Sequence, residues 1–298
     1  MSMRDKKQTP HSKLLDSLGD FLGEKGREGE LLKSAPSKWE KHGDLILLPT
    51  DSFSGWDNLA GTELWELVAN SLGGKRLGIK GEISGSERRP DVELLLGKEG
   101  WVTHKEYGIE YSFDVRKSMF SAGNLPERGR LGELDCKGEI ILDLYAGIGY
   151  YTLPLLARAG AAHVHACEWS EDAIFAMNHN LIANGVSDNC TIHAGDNQVS
   201  LNTGGSAAAV IGTCDRVILG LLPSSENGWA LALSALKQEG GILHLHGNAQ
   251  GGNEIEWAEG VASDLENMTG RKATVQHLVK VKWYAPHIRH CVADIKIS

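Results

Sequence analysis

One stretch decides the fold of this 298-residue chain: Glu139-Ile-Ile-Leu-Asp-Leu-Tyr-Ala-Gly-Ile-Gly-Tyr-Tyr-Thr152. Residues 140–144 form an apolar run with a single carboxylate, Asp143, which is typical of a strand buried on both faces of a parallel sheet. Gly147 and Gly149 follow, and glycines let the backbone turn sharply and come close to a ligand. Open α/β sheets bind ligands at the carboxyl ends of their strands. The stretch therefore predicts a ligand site, with a purely structural strand-to-helix turn as the simpler alternative.

The glycine spacing indicates which kind of ligand to expect. A dinucleotide fold needs a third glycine for the pyrophosphate turn, and this chain has Thr152 there. The pattern from Asp143 through Gly147 to Gly149 instead suits a nucleoside with an amino-acid tail, as in S-adenosylmethionine. A nicotinamide-dependent oxidoreductase remains an alternative that Thr152 disfavours.

Strands and helices alternate after this stretch. Strands are predicted at residues 163–168, 190–194, 215–219 and 241–246, and helices at residues 170–183, 224–237 and 255–267. Two long alternating runs, residues 274–284 and 289–297, are predicted to close the chain as a hairpin. Repeated strand–helix units predict an α/β fold with a doubly wound parallel sheet. The closing antiparallel hairpin resembles the Rossmann-like class I S-adenosylmethionine-dependent methyltransferase fold rather than a dehydrogenase.

The part before the glycine stretch is expected to divide in two. Residues 1–38 are polar and glycine-rich apart from leucines at helical spacing, and we expect a loosely held lead-in. Residues 39–118 are predicted to form a small α+β domain, in which short strands separated by glycine and proline turns pair as an antiparallel sheet. Residues 119–298 are then the S-adenosylmethionine-binding catalytic domain.

Composition limits the classes of protein to which this chain can belong. No apolar run approaches the roughly eighteen residues of a membrane span, and the start has no signal core, so a cytoplasmic protein without a membrane partner is expected. The five cysteines form no C-x-x-C pair, which indicates buried thiols rather than disulfides or a zinc site. The net charge is −9, yet residues 75–130 carry 11 basic and 9 acidic side chains. A polyanionic partner is expected to meet that segment first.

Three acidic residues follow strands at one edge of the predicted sheet: Asp143, Glu168 and Asp196. Glu168 lies 21 residues after Gly147, about the spacing at which an acid accepts hydrogen bonds from ribose hydroxyls. Asp196 and the adjacent Asn197 are placed to hold the adenine. We favour this nucleoside site over the alternative of solvated loop acids.

Two pairs of histidines are two residues apart on predicted strands and so share a face: His163 with His165, and His244 with His246. Neither pair has a cysteine or carboxylate at ligand spacing. We therefore expect packed, hydrogen-bonded histidines and no metal.

Several segments together resemble one family: Met119-Phe-Ser-Ala-Gly-Asn124, Asp143-Leu-Tyr-Ala-Gly-Ile-Gly-Tyr150, His165-Ala-Cys-Glu-Trp169, Gly195-Asp-Asn197, Arg216-Val-Ile-Leu-Gly-Leu-Leu-Pro-Ser-Ser225 and Tyr284-Ala-Pro-His287. The family is that of tRNA wybutosine-synthesizing protein 2, relatives of the tRNA guanosine-37 N1-methyltransferases. The resemblance runs from about Trp39 to the C-terminus. Many relatives have a further N-terminal domain, which this chain is expected to lack.

The resemblance implies a reaction and a partner. The 3-amino-3-carboxypropyl group of the co-substrate S-adenosylmethionine would move to C7 of 4-demethylwyosine at position 37, in the anticodon loop of phenylalanine tRNA. The methyltransferase relatives carry arginine where this chain has Gly123-Asn124, and Asn-Leu-Pro where it has Gly220-Leu-Leu-Pro223. This difference favours transfer of the larger group. A tRNA guanosine-37 N1-methyltransferase is the alternative, and a catalytically silent tRNA-binding module is a more distant one.

The resemblance also implies roles for single residues. Ser121 and Arg128, in the link at residues 116–136, would contact the cofactor. Glu168 would bind the ribose, and Asp196 with Asn197 would bind the adenine end. The sequence indicates neither a general base nor an oligomeric state. The candidates for phosphate contacts with tRNA are Arg88, Arg89, Arg116, Lys117 and Arg130.

Overall fold

The computed structural model describes residues 8–26, 29–84, 89–202 and 204–298, without the side chains of 82–84 and 89. The chain forms two compact units, one from residues 1–104 and 112–119 and one from residues 105–111 and 120–298. The main division falls after Met119, one residue later than the division expected from the sequence. No helix in the described part of the chain is long and apolar enough to cross a membrane.

The first unit is built on a four-stranded sheet. Its elements are helices α1 (Pro10–Glu24) and α2 (Thr62–Ser71) and strands β1 (Glu40–His42), β2 (Leu45–Pro49), β3 (Arg76–Ser84) and β4 (Arg89–Leu96). The strand order is β1-β2-β3-β4. Strands β2 and β3 run parallel, because α2 lies between them in the chain and parallel strands need such a crossover. Strands β3 and β4 pair antiparallel, as predicted. The expectation of one antiparallel sheet is wrong for the other two strands, because β5 (Trp101–Glu106) and β6 (Ile109–Asp114) form a separate two-stranded sheet.

The expected loose lead-in, residues 1–38, is wrong for α1. The Thr9 side chain accepts a hydrogen bond from the backbone N–H of Ser12 and caps the helix. One face of α1 is buried in the core that also holds α2, through Leu14, Leu18, Phe21 and Leu22. The glycines that suggested a loose segment, Gly19 and Gly23, lie where an added Cβ would meet nothing within 4 Å. They therefore do not interrupt the packing.

The second unit is the predicted α/β layer structure. Its remaining strands are β7 (Ile140–Asp143), β8 (His163–Glu168), β9 (Cys190–Ala194), β10 (Arg216–Leu219), β11 (Gly241–Gln250), β12 (Ala273–Ala285) and β13 (Ile288–Ile297). Its helices are α3 (Leu125–Gly132), α4 (Thr152–Ala157), α5 (Glu171–Ala183), α6 (Asn197–Ser200), α7 (Trp229–Ala235) and α8 (Glu254–Thr269). In the described residues the sheet order is β12-β13-β11-β10-β7-β8-β9.

Strand direction in this sheet confirms the predicted fold class. Strands β7 to β11 are parallel neighbours, while β13 pairs antiparallel with β11 and β12. The order reverses at β7, since β8 and β9 lie on one side of it and β10 and β11 on the other. Ligands of open α/β sheets bind at such a reversal, which places the candidate site at the carboxyl end of β7.

Candidate functional site

The turn after β7 depends on its two glycines. Gly147 and Gly149 have φ angles of 58° and 94°, in the left-handed region that favours glycine. A Cβ at position 147 would also lie 2.5 Å from the Tyr150 ring. The loop can therefore keep this course only with glycine at both positions.

Asp143 ends β7 beneath this loop and is fully buried. Its Oδ2 accepts a hydrogen bond from the Thr152 hydroxyl at 2.8 Å. Burial raises the pKa of Asp143 to about 7, against the effect of the hydrogen bonds from Thr152 and the backbone of Tyr145. Asp143 ends its strand at the same edge as Glu168, as predicted. Its buried carboxyl group is hydrogen-bonded to Thr152 and holds the loop in place.

The carboxylate of Glu168, at the end of β8, accepts hydrogen bonds from the backbone of two loops. Its Oε2 accepts from the backbone N–H of Gly147 at 2.8 Å. Its Oε1 accepts from the N–H groups of Trp169 and Ser170 at 2.9 and 2.8 Å. The carboxylate is thus held at the sheet edge against the glycine loop, and a fixed acceptor there suits the hydroxyls of a ribose. The ribose contact itself stays a prediction.

Asp196 and Asn197 follow β9, the neighbouring strand, in which Ala194 pairs with Glu168. Asp196 is exposed and caps α6, since its Oδ1 accepts from the N–H of Gln198 at 2.8 Å. The Asn197 side chain donates to the carbonyl of Leu144 at 2.9 Å. Both residues therefore lie at the same carboxyl edge as Glu168, and their contact with an adenine stays a prediction.

Arg128 is buried, with a relative exposure of 2%. Its Nε and Nη2 donate to the two carboxylate oxygens of Glu106 at 2.7 and 2.8 Å. Its Nη1 donates to the carbonyl of Ser121 at 3.1 Å, and its guanidinium lies 4.5 Å from the Phe120 ring centre. This arrangement makes Arg128 a positioning residue for the Ser121 turn, and its direct contact with the cofactor remains an untested prediction.

A group of side chains beside this turn was not predicted from the sequence. The Asn124 amide donates to the Tyr151 hydroxyl at 3.4 Å, and the Tyr151 ring lies 4.9 Å from that of His246. His246 Nδ1 is 3.1 Å from His290 Nε2. Lys282, paired with His290 across the strands, donates to Ser121 Oγ at 2.6 Å. We call Ser121, Asn124, Tyr151, His246, Lys282 and His290 the edge cluster.

The edge cluster contains buried polar atoms that make no hydrogen bond within the described residues: Asn124 Oδ1, His246 Nε2 and His290 Nδ1. Buried polar atoms normally have a partner. Parallel pairing of β10 with β11 ends at Leu219 and Leu245, so His246 lies just past the carboxyl edge of the parallel strands. The cluster is therefore a polar wall at the ligand-binding edge.

Two sequence families match the chain and together cover most of it. Residues 19–100 match the TYW2 N-terminal domain. Residues 102–271 match the TRM5/TYW2 methyltransferase domain. The chain belongs to the TRM5/TYW2 family. This family contains both branches that the sequence motifs suggested.

Individual relatives lie on the TYW2 side of the TRM5/TYW2 family. The zebrafish (Danio rerio) tRNA wybutosine-synthesizing protein 2 homolog is 41% identical over 99% of this chain and 80% of its own. The tRNA wybutosine-synthesizing protein 2/3/4 of Arabidopsis thaliana is 44% identical over 97% of this chain, which spans only 29% of that protein. The crystal structure of P. horikoshii TYW2 in complex with MeSAdo superposes with a TM-score of 0.79, at 28% identity over 95% of this chain and 98% of that one.

The two predicted histidine pairs of this TRM5/TYW2 chain are hydrogen-bonded, as predicted. His244 Nδ1 lies 2.6 Å from Asp294, and its Nε2 lies 2.6 Å from Arg216. His165 Nδ1 lies 3.1 Å from His193. The described part of the chain holds no grouping of three or more potential metal ligands.

The residues proposed to contact tRNA phosphates differ in their surroundings. Arg88 and the side chain of Arg89 lie outside the described residues. Arg116 is half exposed and pairs with Asp114, and Lys117 is exposed. Arg130 donates to both Glu127 and Asp294. These internal ion pairs remove Arg130 from the phosphate candidates, whereas Arg116 and Lys117 remain predictions.

Proposed function

We propose that this chain transfers the 3-amino-3-carboxypropyl group of S-adenosylmethionine to 4-demethylwyosine at position 37 of phenylalanine tRNA, in the cytoplasm. The relatives named tRNA wybutosine-synthesizing protein 2 support this assignment. A cytoplasmic setting agrees with five cysteines that are all free thiols. The anticodon loop is the part of the tRNA that has to reach the site.

The observation that carries the choice of group is the packing around two glycines. A Cβ at Gly123 would lie 2.6 Å from the Lys282 side chain, and one at Gly220 would lie 2.9 Å from the Tyr151 ring. These are the positions where the methyltransferases that the chain resembles carry arginine and asparagine. Lys282 and Tyr151 fill that space here, so the edge cluster replaces the side chains that promote methyl transfer.

The residues present fit S-adenosylmethionine as a co-substrate. The backbone turns at Gly147 and Gly149 permit a close approach, and Glu168 provides a fixed carboxylate for hydroxyl groups. The sulfonium of S-adenosylmethionine activates all three carbons attached to it. Which carbon reacts therefore depends on which one the protein presents to the nucleophile.

The proposed reaction is a displacement at carbon. C7 of the target base forms a bond to the γ-carbon of the aminocarboxypropyl group. The bond from that carbon to sulfur breaks, and its electron pair stays on sulfur, leaving a neutral thioether. The base then loses its C7 proton to solvent and regains its aromatic ring. The protein supplies orientation, and it needs no covalent intermediate.

Nucleoside mass tests this function directly. The protein is incubated with S-adenosylmethionine and phenylalanine tRNA that carries 4-demethylwyosine, and the digested nucleosides are weighed by mass spectrometry. We expect a gain that corresponds to the aminocarboxypropyl group. A gain of one methyl on guanosine-37 would move the assignment to the methyltransferase, and tRNA binding without any product would indicate the silent binding module.

A further inference from the structure

Positive charge is concentrated at the C-terminal end of the chain. Residues 271–298, which contain β12 and β13, carry one acidic side chain, Asp294, and these basic ones: Arg271, Lys272, Lys280, Lys282, Arg289 and Lys296. Asp294 is buried and bound by His244 and Arg130. The segment therefore has a net charge of +5 in a chain of net charge −9. It is more basic than residues 75–130.

The turn between β12 and β13 exposes aromatic side chains. Trp283 and Tyr284 are 55% and 43% exposed. Together with Ala285, Pro286 and His287 they line a shallow depression. Adjacent exposed aromatic side chains mark interaction surfaces, so the turn has the character of a contact surface.

Trp283 is held in place before any partner binds. The guanidinium of Arg289 lies 3.7 Å from the centre of the indole ring, which is cation–π contact. The far edge of the ring lies 2.9 Å from the place where a Cβ at Gly251 would be. Arg289 in turn lies 3.6 Å from the Glu254 carboxylate. One face of the indole is thus backed by a fixed cation, and the ring remains more than half exposed.

Exposed rings next to cations fit single-stranded RNA. An unpaired nucleotide offers a flat base that stacks on an aromatic ring and a phosphate that attracts nearby lysine and arginine. On an acidic chain, a polyanion is attracted to the segment of opposite charge. A purely apolar partner would gain nothing from the surrounding lysine and arginine side chains.

We propose that Trp283 and Tyr284, backed by Arg289, form a stacking platform for an unpaired nucleotide of the tRNA anticodon loop. The proposal rests on the proposed function for the identity of the RNA, and it assigns the tRNA surface of the second unit to the β12–β13 turn. Tyr151 and His246 belong to the edge cluster, to which Lys282 of the same strand also belongs. Lys282 directly precedes Trp283 in β12, so the platform lies next to the candidate site along the strand.

The test is binding of an anticodon stem–loop RNA to the full chain, measured by fluorescence anisotropy over a range of salt concentrations. We expect Trp283→Ala to raise the RNA dissociation constant roughly tenfold, as loss of one stacked base does, and Trp283→Phe to keep most of the affinity. Trp283→Ala should leave the slope of log affinity against log salt unchanged, because an indole carries no charge.

Controls separate this proposal from a folding defect and from the proposed function. Phe175→Ala removes another exposed aromatic side chain of the second unit, 67% exposed, and should leave RNA affinity unchanged. S-adenosylmethionine affinity, measured by calorimetry, should be the same in Trp283→Ala and the parent protein. Unchanged RNA affinity in a folded Trp283→Ala protein overturns the platform. The platform is also overturned if Trp283→Ala weakens binding to anionic phospholipid vesicles and leaves binding to RNA unchanged. If Trp283→Ala loses RNA affinity but the parent protein forms no aminocarboxypropyl product, the platform is retained and the proposed function is overturned.

Discussion

The Thr152 hydroxyl donates a 2.8 Å hydrogen bond to Asp143, and this bond joins the last residue of β7 to the first residue of α4. Both side chains are fully buried. A dinucleotide-binding fold has a glycine where Thr152 stands. Here the position holds a donor that fastens the loop to a carboxyl group, so the threonine has a structural use that glycine could not provide.

Stability should therefore depend on pH through Asp143. Its pKa is raised by burial from 3.8 to about 7, so the folded protein holds a proton that the unfolded chain releases. The contribution of this group is full at low pH and is lost as pH rises toward 7. In urea unfolding, Asp143→Asn should gain roughly 2–3 kcal/mol relative to the parent protein between pH 5 and pH 8.

Asp215→Asn is the matched control. Burial alone would raise the pKa of Asp215, but the hydrogen bond and charge of Lys237 and the hydrogen bond from the Ile140 backbone outweigh burial and hold the pKa below its usual range. Its contribution is present above the ordinary pKa of an aspartate and is lost as pH falls. The Asp215→Asn difference should therefore change in the opposite direction at acid pH. Equal dependence on pH in parent and Asp143→Asn proteins would show that Asp143 is ionised in the folded state.

Sequence periodicity predicted most of the second unit. Residues 190–194 form β9 and residues 163–168 form β8, as predicted, because buried strands bounded by turn residues have a distinct local pattern. The predicted helix 224–237 is shorter, since residues 226–228 form a 3₁₀ turn and α7 begins at Trp229. Local pattern is weakest at such helix ends.

Residues that meet from distant parts of the chain were not predicted. Arg128 and Glu106 are 22 positions apart, and nothing in their spacing marks them as partners. The edge cluster draws Asn124, Tyr151 and His290 from three separate segments. Burial of Asp143 likewise depends on loops that cover it. These contacts arise from tertiary packing, which composition and periodicity do not encode.

The Arg128–Glu106 ion pair should matter for stability. Both side chains are nearly inaccessible, at 2% and 5% exposure, so removing one partner leaves a buried charge without compensation. Arg128→Ala should lower the free energy of unfolding by about 3–5 kcal/mol, measured in urea. Combining it with Glu106→Ala should cost less than the sum of the single changes. Additive losses would mean that the two groups do not stabilise each other.

Glu168 should govern cofactor affinity. Its carboxylate holds the Gly147 loop and provides the acceptor expected for the ribose. Glu168→Ala should weaken S-adenosylmethionine binding by about 1–3 kcal/mol, measured by calorimetry. Asp188→Ala serves as a control, because that acid lies in the turn that precedes β9, at the opposite end of the strand from the site. A folded Glu168→Ala protein with the parent dissociation constant would make Glu168 a purely structural acid.

The lack of a side chain at Gly220 should control the shape of the candidate site beside Tyr151. A Cβ there would lie 2.9 and 3.2 Å from two atoms of the Tyr151 ring, which is buried and rests on His246. Gly220→Ala should therefore displace Tyr151 and lower the free energy of unfolding by about 1–3 kcal/mol. Because the displaced ring lies in the edge cluster, kcat/KM for tRNA should also fall roughly tenfold, which corresponds to about 1.4 kcal/mol in the activation barrier. Gly220→Asn should also yield no methylated nucleoside, because Lys282 still fills the space beside Gly123.

The control for Gly220 is Gly260→Ala, in α8, where an added Cβ meets nothing within 4 Å. That change should leave kcat/KM unaltered and raise helix stability slightly. A second variant, Gly220→Ala with Tyr151→Leu, relieves the contact and should recover part of the lost kcat/KM if crowding is the cause. Full activity of Gly220→Ala alone would mean that Tyr151 moves aside without cost and that packing at this position does not select the transferred group.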